Sequence, residues 1–160
     1  MNLKRGLYSL VLVLVAIDQL SKRWVEANLP YQEPVNILPL FSLFRTHNTG
    51  IAFSMMKWLG STGLVLLTGV IIIFMVWLWQ RVPRDQQLTL VGFAFVIGGA
   101  LGNLVDRVML GHVVDFFLFH TDNWAFAVFN PADAFITMGA IAIIVDELFA
   151  MRRKAKSKPS

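Results

Sequence analysis

Charged residues in this chain are separated by long apolar gaps. Trp58 to Gln80 is a run of 23 residues without a charge, and Gln86 to Val105 is a run of 20. At about 1.5 Å of rise per residue, either run crosses a hydrocarbon layer of about 30 Å as a helix. Gly6 to Ile17 and Ala134 to Val145 are shorter, with 12 uncharged residues each. They reach spanning length only by continuing past acids: Asp18 in the first, Asp146 and Glu147 in the last. The pattern predicts four membrane helices, near 5–24, 59–80, 87–106 and 132–150. They form a single domain over residues 1–160, with a basic tail at 151–160.

The connections differ in kind. Between the second and third helices only a few residues remain. Between the first and second, Pro30, Pro34 and Pro39 punctuate short apolar pieces, of which 35–38 and 41–44 read as strands. Residues 51–59 suit a short interfacial helix, with Met55, Met56 and Trp58 toward lipid. The connection between the third and fourth helices is read as a long outer segment without assigned elements.

Composition agrees with a membrane protein. Of 160 residues, 56% are hydrophobic and 15% charged, against about 25% charged in soluble domains. The mean hydropathy is +0.62. This excludes a disordered chain and argues against an ordinary soluble enzyme. The absence of cysteine excludes disulfides, thiolate metal sites and a cysteine nucleophile. Lys4 and Arg5 before an apolar run also suit a cleaved signal peptide, but no small-residue cleavage site follows.

The net charge of +4 and pI near 9.8 would admit a nucleic-acid partner were it not for where the charges sit. Lys4, Arg5, Arg81, Arg84, Arg152, Arg153, Lys154, Lys156 and Lys158 share one side if both termini are cytoplasmic. Only Lys22, Arg23, Arg45, Lys57 and Arg107 remain outside. That asymmetry sets the orientation, and the basic tail becomes an anchor near anionic lipid. No nucleic-acid role is expected.

With this orientation Asp85, Asp146 and Glu147 lie at the inner face. Asp18, Asp106, Asp115, Asp122 and Asp133 gather at the outer face. Ionisable groups within or beside a bilayer are costly and usually functional. Asp18 and Lys22 share a helix face at i,i+4, either as scaffold for a site or as a self-neutralising pair. Ala94, Gly98 and Gly102 allow close helix approach in lipid. Asn103, Asp106 and Arg107 follow, and Arg107 can fork onto a carboxylate.

Asn130 suits a helix cap, Pro131 the first position and Asp133 the third, where an acid also complements the helix dipole. Asp115 is a lone acid in an apolar stretch. If Asp115 and Asp133 meet, two crowded carboxylates share one proton, leaving one acid and one base. Spacing alone leaves that meeting open. His47, His112 and His120 match no zinc spacing, so no metal and no cofactor is expected. No serine sits in a nucleophile elbow, and no phosphate loop or dinucleotide fingerprint occurs.

These residues also form a series of motifs. Asp18-Gln19-Leu20-Ser21-Lys22 resembles a D-Q-x-S-K box, and Asn48 to Ser54 resembles N-x-G-x-A-F-S. Gly99 to Arg107 resembles G-A-x-G-N-x-x-D-R. Gly111 to Phe116 resembles G-x-V-V-D-F, and Phe129 to Asp133 resembles F-N-x-A-D. In this order they resemble the bacterial lipoprotein signal peptidases, the signal peptidase II family, over nearly the whole chain. Ile51, Pro131 and Ala134 depart from the usual pattern without removing a carboxylate.

The resemblance implies a membrane-embedded aspartic endopeptidase. It would remove the signal peptide of prolipoproteins on the N-terminal side of the S-diacylglyceryl cysteine. Asp115 and Asp133 would be the catalytic dyad. Asp18, Lys22, Asn48, Gly50, Asn103, Asp106, Arg107 and Asn130 would support the site or contact substrate. Partners would be diacylglyceryl-modified prolipoproteins and membrane lipids, with globomycin-like cyclic peptides as inhibitors. The implied fold is mainly α, a four-helix transmembrane bundle with a small periplasmic β-like cradle and a short interfacial helix. The implied place is the bacterial inner membrane, multi-pass, with the site at the periplasmic face. A small transporter would put its ionisable groups near the midplane, and a structural subunit would not need two acids at one face.

Overall fold

The computed structural model describes residues 3–50, 60–121 and 123–156. The interfacial helix expected at 51–59 and the end of the basic tail, 157–160, lie outside the described residues. Four helices and four strands follow in the order α1 (Leu3–Asn28), β1 (Pro34–Leu38), β2 (Phe41–Asn48), α2 (Gly60–Arg81), α3 (Gln87–Leu110), β3 (Val113–Thr121), β4 (Trp124–Ala125) and α4 (Pro131–Lys156). All four expected helices are present, and most run past the charges that bounded the apolar runs.

By length and composition α2, α3 and the Pro131–Arg152 stretch of α4 suffice to cross a membrane. α1 carries too many charges to stand beside them on those grounds. Its Asp18 and Lys22 are nevertheless 0% and 2% exposed. Buried and paired, they do not stop the helix.

α3 is the central helix, packed against the other three. Its N-terminal half meets α1 and α2 in a core of Leu7, Val11, Trp79, Leu90, Phe93, Ala94 and Ile97. Trp79 Nε1 donates to the Leu90 carbonyl at 3.0 Å, so the one polar atom of that ring is satisfied. Outward, α2 presents Leu66, Val70, Ile73 and Phe74, and α4 presents Ile141, Ile144 and Leu148. An apolar outer surface on long helices is what lipid solvates. Asp146, expected among the inner headgroups, has a specific structural task. Its Oδ2 accepts from Thr89 N at 3.1 Å and Thr89 Oγ1 at 2.7 Å, closing the N-terminal turn of α3.

At the other end of the bundle lies an antiparallel sheet of order β1-β2-β3-β4. β1 and β2 agree with the two expected strands, with β2 extending to Asn48. β3 is a finding that the sequence reading did not anticipate. Val113 to Phe119 is rich in β-branched and aromatic residues, which favour strands. Its first four residues are buried on both faces, so the run lacks the alternation that marks a half-exposed strand. The turn from α3 into β3 requires Gly111, at φ 79°, whose N–H donates to Arg107 O at 3.1 Å. That left-handed cap turns the chain sharply enough to deliver Asp115 back over the end of α3. Thr46 and Asp115 are register partners across β2 and β3.

Candidate active site

The site is assembled where the C-terminal ends of α1 and α3, the start of α4, and strands β2 and β3 meet. The approach of α1 to α3 is set at Gly102. A Cβ there would stand 2.5 Å from Asp18 Oδ2, so only glycine leaves room for that carboxylate. Of the expected stripe, Gly98 also faces α1, against Leu14.

Lys22 is the hub of the lower layer. Its Nζ lies 2.9 Å from Asp18 Oδ2 and 2.9 Å from Asp106 Oδ2, and donates to Asn103 Oδ1 at 3.0 Å. All four residues are buried. Gln19 adds donors to Asp106 Oδ1 at 2.7 Å, Gly102 O at 3.2 Å and Asp18 Oδ2 at 3.2 Å. Sequence reasoning left Gln19 out of the site set, although it sits inside the first motif. An amide has the donors needed to join two helices and a carboxylate, which was the available signal. The layer also holds the sheet and α4 in place. Val114 N donates to Asp106 Oδ2 at 3.2 Å, and Ala132 N to Asp18 Oδ1 at 3.0 Å.

Above this layer stand Asp115 and Asp133. Asp115 is 2% exposed. Its Oδ1 accepts from Asn130 Nδ2 at 2.6 Å and its Oδ2 from Asn48 Nδ2 at 3.0 Å. Asp133 is half-buried. Its Oδ1 accepts from Asn103 Nδ2 at 2.8 Å and its Oδ2 from Asn130 N at 3.3 Å. Asp133 N in turn donates to Asn130 Oδ1 at 3.1 Å. This is the reciprocal cap that the Asn-Pro-Ala-Asp spacing predicts, and it fixes Asp133 against the first turn of α4. Asn130 therefore touches both carboxylates and also donates to Asn103 Oδ1 at 3.2 Å. Among the described residues neither carboxylate forms an ion pair.

Arg107 corrects one expectation. It does not fork onto a carboxylate, and its neighbour Asp106 pairs with Lys22 instead. Adjacent residues on a helix point about 100° apart, which sends the two side chains to different partners. Arg107 Nη2 donates to Gly50 O at 2.8 Å and Nη1 to Asn103 O at 3.3 Å. Gly50 N donates to Asn48 Oδ1 at 2.9 Å. Arg107 and Asn48 thus hold the end of β2 at the Asp115 side of the site.

The electrostatics single out Asp115. Burial pushes the Asp115 carboxyl up, and the charge of Asp133 pushes it further, to about 7. The hydrogen bonds from Asn130 and Asn48 and the charge of Lys22 oppose the rise without cancelling it. A carboxylic acid that holds its proton toward neutral pH stands beside a second acidic side chain in the first turn of α4. Such a pair can donate one proton and accept another in the same event.

The histidines are not beside Asp115. His120 Nε2 lies 2.7 Å from Ser42 Oγ. His47 and His112 stack on one another, with Glu26 close by.

Comparison with known proteins places the chain among membrane proteases. Residues 10–149 match the family described as Signal peptidase (SPase) II. The lipoprotein signal peptidase of Mesorhizobium japonicum is 49% identical over 151 residues, covering 94% of this chain and 90% of the relative. That of Brucella ovis is 51% identical over 144 residues, covering 90% of each. A bacterial membrane enzyme solved in meso at 2.3 Å resolution superposes with a TM-score of 0.86 at 25% identity, over 97% of this chain and 94% of the other. A second, solved at 1.9 Å, gives a TM-score of 0.79 at 27% identity, over 89% and 92%.

Proposed function

The chain belongs to the signal peptidase II family and is a protease that removes signal peptides from prolipoproteins, and we propose that it does so as an aspartic endopeptidase with Asp115 and Asp133 as its dyad. One observation carries the reading: a single residue, Asn130, joins two carboxylates from different elements, bonding Asp115 through its side-chain amide and Asp133 through its main-chain N–H, and neither carboxylate has a cation paired to it among the described residues. A merely structural acid in so apolar a setting would be neutralised by a partner, as Asp18 and Asp106 are.

Asp133, the more accessible carboxylate, takes a proton from water as the water oxygen attacks the scissile carbonyl. Asp115 gives its proton to the carbonyl oxygen. In the second half the roles reverse: Asp115 recovers a proton from the diol, and Asp133 passes its proton to the departing amine. The bond broken lies on the N-terminal side of the diacylglyceryl cysteine. The substrate's lipid stays in the bilayer while its peptide lies across β2 and β3. A cyclic peptide of the globomycin type would block the reaction by lying across the dyad. The direct test is cleavage of a lipidated precursor by the purified protein.

The raised Asp115 pKa gives a second test. The acid form persists below about pH 7 and is lost as pH rises through that value. The kcat/KM profile is therefore expected to fall on its basic side near pH 7. Asn48→Ala removes a donor that favours the ionised form, so its basic limb is expected at higher pH. A limb that stays put in that variant would separate Asp115 from the acid role.

The chemistry also requires the site to face outward. All four helices cross the membrane in this reading, with both termini and the α2–α3 link in the cytoplasm. Topology reporters after Ser160 and near Arg84 are expected to report the cytoplasm, and reporters near His47 and Thr121 the periplasm. A cytoplasmic reporter at Thr121 would put the dyad in the wrong compartment.

A further inference from the structure

Side chains alternate along a strand, so His47 points away from the face on which Asn48 reaches Asp115. On that reverse face three elements converge. His47 Nε2 lies 2.8 Å from Glu26 Oε1 near the end of α1. The His47 ring stacks on His112, which belongs to the turn between α3 and β3, with centroids 3.8 Å and planes 25° apart, so one imidazole must turn for both in-plane lone pairs to meet at one ion. One ligand atom from each of Glu26, His47 and His112 lies within 4.8 Å of the other two. All three residues are half-buried, open enough for an ion to enter.

Two details point to a missing partner. His112 Nε2 is buried and, among the described residues, has no hydrogen-bond partner. A buried polar atom without a partner is costly, and a metal ion would satisfy it. The Glu26 carboxylate is also available. Arg45 Nη1 donates to the Glu26 carbonyl oxygen, at 2.7 Å, and Lys22 is held by Asp18 and Asp106.

We propose that Glu26, His47 and His112 form a binding site for a divalent transition metal, best matched by zinc. Hard cations such as calcium and magnesium prefer all-oxygen shells, whereas two imidazoles and one carboxylate with room for water suit zinc. The ion takes the place of the direct contact between Glu26 Oε1 and His47 Nε2. It clips α1 to β2 and to the start of β3 on the face opposite the dyad, so it supports the sheet and takes no part in bond cleavage.

The test uses the untagged full-length protein in detergent, stripped with a chelator and titrated with Co²⁺ and then Zn²⁺. Stoichiometric Co²⁺ is expected to give visible d–d bands that Zn²⁺ abolishes. Zinc at about a hundredfold above its Kd is expected to raise the thermal midpoint by roughly 5 °C. Glu26→Gln and His112→Ala are each expected to weaken binding at least about tenfold and to lose the thermal shift. Both still cleave precursor, which establishes that they fold, and Asp115→Asn binds zinc like the wild type. Chelation leaves the wild-type cleavage rate unchanged. The proposal is overturned if no metal is taken up, if His112→Ala binds as well as wild type, or if Asp115→Asn is the variant that loses binding.

Discussion

Asp115→Asn and Asp133→Asn are each expected to lower cleavage of a lipidated precursor by about 10³- to 10⁴-fold. An amide matches the carboxylate in size but neither takes a proton from water nor donates one as a carboxylic acid does. The local bonding predicts that both variants stay folded. Asn in place of Asp115 still has an oxygen for Asn130 or Asn48. Asn at position 133 keeps an oxygen for one of its two donors, Asn103 or the Asn130 amide. The two losses are expected not to multiply, because in the proposed mechanism the acids act as a unit, so the double variant should be about as slow as either single one. A folded single variant with wild-type turnover would remove that residue from the dyad.

Lys22→Met is expected to have the largest effect on stability, a loss of about 3–5 kcal/mol. One ammonium group lies 2.9 Å from each of two buried carboxylates and bonds Asn103 as well. Removing it leaves Asp18 and Asp106 facing each other without a cation. Lys22→Arg is not expected to rescue the fold, because a planar guanidinium does not fit the space of a compact ammonium. Adding Asp18→Asn and Asp106→Asn to Lys22→Met should recover much of the lost stability. The measurement is the thermal midpoint in detergent across this series. A single Lys22→Met variant as stable as wild type would mean that the three charges are not coupled.

The long apolar runs made α2 and α3 legible, since 20 or more uncharged residues leave few alternatives to a spanning helix. The cap of α4 was equally legible, because its three positions are local in sequence. What required the fold was everything that depends on which residues meet. Asp106 and Arg107 look like a pair in sequence, but helical rotation separates them. β3 was hidden because both its faces are buried at the start, so its pattern is a run rather than an alternation. The family motifs drew attention to Asp115 and Asp133, and the fold adds Asn130 as the link between them. The convergence of Glu26, His47 and His112 joins positions scattered over 87 residues of chain, and no local spacing encodes it.

The cap of α4 also limits what reaction this corner can support. The start of a helix ordinarily offers free amide groups to an anion. Here Pro131 has no N–H, Ala132 N is held by Asp18, Asp133 N by the Asn130 side chain, and Ala134 N by the Asn130 carbonyl at 3.2 Å. None is left to form an oxyanion hole. A serine or cysteine nucleophile grafted in place of the dyad would generate a tetrahedral anion with no amide from this turn to receive it. In the proposed mechanism negative charge on the substrate oxygen is avoided rather than stabilised, and that requires a carboxylic acid whose proton is already in place when the water attacks.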